Sequence, residues 1–219
     1  EAQDYERNSL RKNINEAWKT IYEYLGKNKK NLLDDDTFLK NHWIMYFKYS
    51  RKTANDYIQF LLDEHFTSKN VIQKKLSMKQ IQDYVNSMQA SVKVWFDIHN
   101  PELSKLNDES ITWLSKLKIL NYGAFEPLLM AIFSNGYEEC EINTVLRTME
   151  KYIFLIFRIS RRQANTGDSE FYRFSRDIYY EEKTLMEINN QINQWIFGNE
   201  EEDGYYEIKK FKEYLEERF

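Results

Sequence analysis

The 219-residue sequence contains only one cysteine, two prolines and six glycines. The single cysteine, Cys140, excludes an internal disulfide and favours a reducing compartment, so we expect a cytoplasmic protein. With so few prolines and glycines, long stretches of the chain are free to form helices. No apolar run reaches the ~18 residues that a membrane span requires, and no membrane partner is expected.

Motifs that carry chemistry are also missing. The three histidines, His42, His65 and His99, are isolated, and Cys140 has no cysteine partner, whereas a zinc site needs ligands at close spacing. No nucleophile–base pair and no phosphate-binding loop occurs. The sequence therefore predicts no metal, no cofactor and no catalytic residue in this chain. Cys140 is interpreted as a small residue of the core.

Aromatic and charged residues are plentiful, at 16% and 30% of the chain. Apolar residues recur at steps of three and four, as they do from Leu10 to Leu25, which is the pattern of amphipathic helices. The pattern predicts an all-α fold, a multi-helix bundle of roughly nine helices with no significant sheet. We expect residues 1–219 to form a single helical domain, with a weak boundary near 100–108. The run 152–159 is strand-like in composition, but helical spacing on both sides favours a helix.

Helix starts are predicted from local signals: an N-cap within Asp34–Asp36, capping boxes at Thr53 with Asp56 and at Ser77 with Gln80, Pro127 in a first turn, and a cap at Asp168 or Ser169. The last of these helices is expected to extend as far as Gly198. A final helix is predicted to carry Tyr205, Ile208, Phe211 and Leu215.

Charge is distributed unevenly along the chain. The net charge of −4 gives no overall attraction to nucleic acid. Residues 147–176, however, contain seven basic and three acidic side chains, whereas residues 181–219 contain eleven acidic and five basic ones. This asymmetry predicts a local basic face beside an acidic one.

Arginines within the basic stretch form the main candidate site. Three lie at the end of one predicted helix, and two share a face of the next. Two antiparallel helices would bring both groups to one end of a hairpin, where guanidinium groups can hold phosphate oxygens. The candidates for binding a DNA backbone are Arg158, Arg161, Arg162, Arg173 and Arg176.

Two alternatives to the DNA hypothesis remain at this point. Arginines at the end of a helix are favoured by its dipole, and Arg176 could pair internally with Asp177 or Glu181.

A second basic turn adds the candidates Lys48, Arg51 and Lys52, although residues of this kind are more often plain surface residues.

Three pairs of segments resemble the helical middle region of the GmrSD-type restriction endonucleases. They are 13–18 (NINEAW) with 36–43 (DTFLKNHW), 113–117 (WLSKL) with 125–129 (FEPLL), and 150–158 (EKYIFLIFR) with Asn165 and 171–179 (FYRFSRDIY). That family joins a ParB-like nucleotide-hydrolysing domain to a C-terminal His-Asn-His (HNH) nuclease domain. The Asp-Gly-Gln-Gln-Arg segment of the first domain and the His-Asn-His ligands of the second are both absent from this sequence.

The resemblance implies a non-catalytic helical module of a bacterial defence endonuclease that links two catalytic domains and contacts DNA. The chain begins at Glu1 rather than at methionine, and we expect it to be part of a longer protein. A protein-interaction or oligomerisation scaffold without a nucleic-acid role is the main alternative, with docking through Tyr205, Tyr206 and Tyr214. A bundle that binds a small molecule, or an enzyme with an unfamiliar site, is a third.

Overall fold

The computed structural model describes residues 2–27, 32–120, 123–163 and 165–198, together with Gly204, 212–213 and 215–217. Within these residues the chain is all-α, as predicted, with eleven α-helices and no β-strand. None of the described helices combines the length and the apolar character that a membrane crossing needs. Most of the predicted final helix, including Tyr205, Ile208 and Phe211, lies outside the described residues.

The chain divides into two compact units, Glu1–Asp97 and Ile98–Phe219. The division falls in the last turn of a helix that ends at His99, just before the predicted weak boundary at 100–108. That the whole chain is a single domain stays a prediction.

Three long or medium helices and four short helical segments make up the first unit and its boundary. Polar contacts align the first helix with the last: Asn13 donates to Gln82 at 2.8 Å, and Gln89 donates to Thr20 at 3.1 Å. Both pairs are 69 residues apart in sequence, so the two helices run side by side in the same direction. The elements are α1 (Ala2–Gly26), α2 (Asp35–Tyr46), α3 (Arg51–Asn55), α4 (Tyr57–Gln59), a π-helical segment (Phe60–His65), α5 (Ser68–Ile72) and α6 (Met78–His99).

Two of the predicted helix starts in this unit are confirmed. Asp34 is the N-cap of α2, and its carboxylate accepts a hydrogen bond from the backbone nitrogen of Thr37 at 2.7 Å. The hydrogen bonds that the hydroxyl and the backbone N–H of Thr37 donate to Asp34 lower the pKa of its carboxyl. Ser77 and Gln80 form the expected reciprocal box, with the Ser77 backbone nitrogen donating to Gln80 at 2.8 Å.

The capping box predicted at Thr53 and Asp56 is wrong. Ser50 is the N-cap of α3, and its hydroxyl accepts from the backbone nitrogen of Thr53 at 3.2 Å. Thr53 therefore lies inside α3, and Asp56 ends it. A serine three residues before a threonine competes for the same role, and sequence spacing does not distinguish the two.

The second unit is organised around α9. This helix packs between α7 and α11, while α10 packs against α8. The elements are a 3₁₀ turn (Pro101–Leu103), α7 (Asp108–Leu120), a 3₁₀ turn (Gly123–Phe125), α8 (Glu126–Ser134), α9 (Glu139–Tyr152), a π-helical segment (Ile153–Ile159), α10 (Asp168–Tyr179) and α11 (Leu185–Phe197). Pro127 lies in the first turn of α8, as predicted.

Aromatic rings fill the centre of this unit. Phe171 of α10 is fully buried and lies 4.4 Å from Phe125, 5.1 Å from Tyr152 and 5.4 Å from Trp195, measured between ring centroids. Edge-to-face contacts of this kind stabilise a core beyond the area that they bury. The strand-like run that begins at Tyr152 is helical, as its flanking periodicity predicted.

The predictions for the start and end of α10 are wrong. Neither Asp168 nor Ser169 caps it, because the residue before the helix is Gly167, with φ of 85° and no side chain to accept a hydrogen bond. The helix does not extend to Gly198 but ends at Tyr179. A separate capping box begins α11, in which Thr184 accepts from the backbone of Glu187 at 3.2 Å.

Candidate functional site

Arg158 lies in the π-helical segment Ile153–Ile159. The isoleucines of this segment are buried, whereas the Arg158 side chain is exposed. Its guanidinium donates to the backbone oxygen of Leu120 at 3.5 Å. Leu120 is the last residue of α7, where carbonyl groups have no partner within the helix. Arg158 therefore contacts the negative end of α7, where the helix dipole stabilises a positive charge.

Arg161 follows the same segment and has a left-handed backbone, with φ of 52°. The backbone nitrogen of Ser160 bonds to Leu155 at 2.9 Å, and that of Arg162 bonds to Ile156 at 3.1 Å, so the helix ends at this point. Glycine is the usual residue in such a position, and another residue costs roughly 1 kcal/mol. Lys74 and Glu181 adopt the same conformation, so this chain repeatedly ends helices without glycine.

The guanidinium of Arg161 forms an ion pair with Glu217, at 2.9 Å. Both side chains are largely in water, with 66% and 62% of their surfaces exposed. An ion pair in water contributes little to stability, because solvent screens it and two long side chains lose freedom. The Arg161 side chain is therefore held at the surface rather than in the core.

Arg173 and Arg176 lie on α10, and each pairs with a nearby carboxylate. Arg173 bonds to Glu170, and Arg176 holds both oxygens of Glu182, at 3.1 and 3.0 Å. The Arg176 guanidinium also lies 4.9 Å from the centre of the Tyr180 ring. The partner of Arg176 is thus neither of the two acidic residues considered from the sequence, although an internal pair does form.

The route of the chain between the two arginine groups is set by Tyr152. Its hydroxyl donates to the backbone oxygen of Thr166, just before α10 begins. The start of α10 therefore lies beside Tyr152, which precedes Arg158 by six residues in the sequence. Arg158, Arg161, Arg173 and Arg176 contact four different acceptors. That they bind one ligand together, and with Arg162, stays a prediction.

The second basic group lies in the first unit, around the start of α3. Lys48 is exposed, and Arg51 and Lys52 occupy the first turn of the helix after the Ser50 cap. None of the three forms an ion pair with a residue that the structure describes. Arg51 lies at the positive end of the helix dipole, so its charge does not stabilise α3.

A buried polar cluster in the first unit was not found from the sequence. His42 is fully buried, and its Nε2 lies 2.9 Å from the hydroxyl of Ser87. Because that hydroxyl donates its proton to the backbone oxygen of Tyr84, the histidine must be the donor to Ser87. Burial lowers the pKa of His42 to about 3 and raises that of Tyr84. The pattern of His42 and Tyr84 on helical faces could have identified them as core positions, but not their contact.

Two polar atoms of this cluster have no hydrogen-bond partner among the described residues. They are Nδ1 of His42 and the hydroxyl of Tyr84, whose ring lies 5.1 Å from the imidazole. In the described parts of the chain, no three side chains of the metal-binding types converge. The cluster is therefore a neutral, largely aromatic part of the core.

The prediction that Cys140 is a core residue is wrong, because the thiol is exposed. It lies in the first turn of α9 and lines a groove between α9 and α11, together with Val145, Leu185 and Met186. The sequence interpretation rested on the residue type and on the absence of a second cysteine, and neither shows whether a side chain faces a neighbouring helix.

No family model, no curated protein and no solved structure matches this chain.

Proposed function

We propose that this chain is a non-catalytic helical module of a modification-dependent restriction endonuclease, which links catalytic domains and contacts the phosphate backbone of DNA. The observation that carries the DNA part concerns the candidate arginines. Arg161, Arg173 and Arg176 hold their guanidinium groups at the surface against carboxylate oxygens, the geometry in which they would hold a phosphate.

The carboxylate partners do not prevent such binding. Each of these pairs is partly or largely exposed, and surface pairs contribute only about 0.2–1 kcal/mol. A DNA phosphate forms a charge-assisted bond and also releases condensed counterions, a gain that a single carboxylate does not offer. Exchange of carboxylate for phosphate is therefore favourable at low salt.

The second basic group supports the same function without any exchange. Lys48, Arg51 and Lys52 form no ion pair within the described residues, so no internal contact must break before they meet a phosphate. Their charged groups are therefore available to an external anion.

Anisotropy of a fluorescent DNA duplex, measured over a range of salt concentrations, tests the DNA part. We expect binding at low salt, with the salt dependence reduced by about 0.9 in logarithmic slope for each phosphate contact removed. Arg161→Ala, Arg173→Ala and Arg176→Ala should each weaken binding. Arg11→Ala, at an exposed position of α1, is the matched control and should not.

Two results would contradict this proposal. One is the absence of binding at low salt, and the other is equal binding by the control and the three arginine variants.

The proposed place in a larger enzyme has its own test. The gene should encode a ParB-like segment before these residues and a His-Asn-His segment after them.

A protein-interaction scaffold is the second candidate, and one observation favours it. Ile58, Leu62 and Ile72 in the first unit are 49%, 65% and 80% exposed, and a partner protein could cover these apolar side chains. The tyrosines proposed for docking, Tyr205, Tyr206 and Tyr214, lie outside the described residues. Sedimentation over a range of concentrations tests self-association, and a mass that stays at one chain would contradict it.

A further inference from the structure

The ion pair between Arg161 and Glu217 joins more distant parts of the chain than the pairs of Arg173 and Arg176 do. Its residues are 56 positions apart, whereas Arg173 pairs three positions away and Arg176 six. A pair over three to six positions connects only neighbouring turns of the chain. A distant pair brings another part of the chain to the arginine, in this case the helical residues 215–217.

We propose that Glu217 is a built-in competitor for the anion site at Arg161, so that the C-terminal segment restrains binding of phosphate. This inference rests on the proposed function, since it concerns how that same surface is regulated. The carboxylate presents an oxygen to the guanidinium at 2.9 Å, in the place that a phosphate oxygen would take.

The charge of the surrounding sequence and the covalent link to Arg161 both favour this role for Glu217. Residues 181–219 carry eleven acidic side chains and five basic ones, so this part of the chain repels DNA in addition to the direct competition by Glu217. Because Glu217 belongs to the same chain, its local concentration near Arg161 is high without a second molecule.

The weakness of the pair makes the restraint reversible. Both side chains are more than three-fifths exposed, and a pair of this kind is worth no more than about 1 kcal/mol. A ligand with several phosphates can therefore displace Glu217, whereas a weak or singly charged anion gains less. The contact sets a threshold for binding rather than closing the site.

Anisotropy of a fluorescent DNA duplex at low salt, compared among three proteins, is the experiment. Glu217→Gln should bind roughly two- to five-fold more tightly than the unmodified chain. Glu216→Gln is the matched control, because it removes the same charge from the neighbouring exposed residue. It should change the affinity less, since it reports only the general effect of charge.

The same substitution in an Arg161→Ala background isolates the contact. We expect Glu217→Gln to have no effect of its own there, because the side chain with which it competes is gone. Equal effects of Glu217→Gln and Glu216→Gln, or an equal gain with and without Arg161, would overturn the inference.

These results separate this inference from the proposed function. If Arg161→Ala weakens binding but Glu217→Gln does not tighten it, DNA binding stands and the competition fails. If neither the unmodified chain nor Glu217→Gln binds the duplex, both fail. If the unmodified chain binds and Glu217→Gln binds more tightly than Glu216→Gln, both are supported.

Hydrogen exchange provides a second measurement on the unmodified chain. Displacement of Glu217 by the duplex should release residues 215–217, and their amide exchange should become faster when DNA is added. Unchanged exchange in this stretch, under conditions where the duplex is bound, would contradict the competition.

Discussion

The hydroxyl of Tyr152 donates a hydrogen bond to the backbone oxygen of Thr166, at 3.0 Å. Tyr152 is the fully buried last residue of α9, and Thr166 stands two residues before α10. The bond ties the end of one helix to the turn that begins the next. It therefore sets where α10, with Arg173 and Arg176, starts along α9.

Replacing Gly167 with alanine should destabilise this turn. The glycine has φ of 85°, and a Cβ atom there would lie 2.7 Å from the Tyr152 hydroxyl oxygen. We expect Gly167→Ala to lower the free energy of unfolding by roughly 1–3 kcal/mol, measured by denaturant titration. Gly136→Ala is the control, since a Cβ at Gly136 meets nothing within 4 Å. Equal stability of the two variants would contradict the argument.

Removal of the Tyr152 hydroxyl should destabilise the protein while leaving the aromatic ring in place. Tyr152→Phe leaves the ring contacts with Phe125 and Phe171 in place but removes the donor to Thr166. We expect a loss of about 1–2 kcal/mol in the free energy of unfolding, because a buried hydrogen bond is lost. Tyr22→Phe, at a residue that is 58% exposed, should change stability by much less. A similar loss in both variants would show that the buried bond is not the cause.

The start of α11 makes a separate prediction. Thr184 and Glu187 satisfy each other's backbone donors, at 3.2 and 2.8 Å. Thr184→Ala should cost about 1 kcal/mol of unfolding free energy, the usual value of an N-cap. Thr144→Ala, on the exposed side of α9, removes a hydroxyl that bonds only within its own helix and should be nearly neutral. Thermal melts of both variants test this, and an unchanged midpoint for Thr184→Ala would refute it.

The parts of the fold that sequence could predict are those set by chemistry within a few residues. Asp34 as an N-cap and the Ser77–Gln80 box depend on side chains that reach backbone groups three positions away. The start of α10 could not be predicted this way. Its position depends on Tyr152, fourteen residues from Thr166, and on the left-handed turn at Gly167.

The candidate site was less predictable than the fold, for a similar reason. The sequence identified which arginines are clustered, but their partners are set by tertiary structure. Glu217 is 56 residues from Arg161, and no local pattern indicates that the two meet. Cys140 shows the same limit, because the type of a residue does not determine whether its side chain packs against a neighbouring helix.

The exposure of Cys140 predicts its reactivity. As the only cysteine in the chain, it should account for one thiol that reacts with a disulfide reagent without denaturant. Reaction only after unfolding would place the thiol in the core after all. Cys140→Ser should abolish the reaction while changing the free energy of unfolding by less than about 0.5 kcal/mol, because the residue is on the surface.

His42 should make the stability of the protein fall in mild acid. Burial lowers the pKa of this histidine from 6.5 to about 3, so the unfolded chain binds a proton that the folded chain does not. The contribution is fully present above pH 6.5 and is lost as the pH falls towards 3, with a slope of up to about 1.4 kcal/mol per pH unit. Denaturant titrations between pH 6.5 and 4.5 measure this slope in a range above the usual titration of carboxyl groups. His42→Gln should reduce the slope whatever its own stability, and part of the slope should remain because burial also lowers the pKa of His65. A slope that is the same in the unmodified protein and in His42→Gln would show that His42 does not cause it.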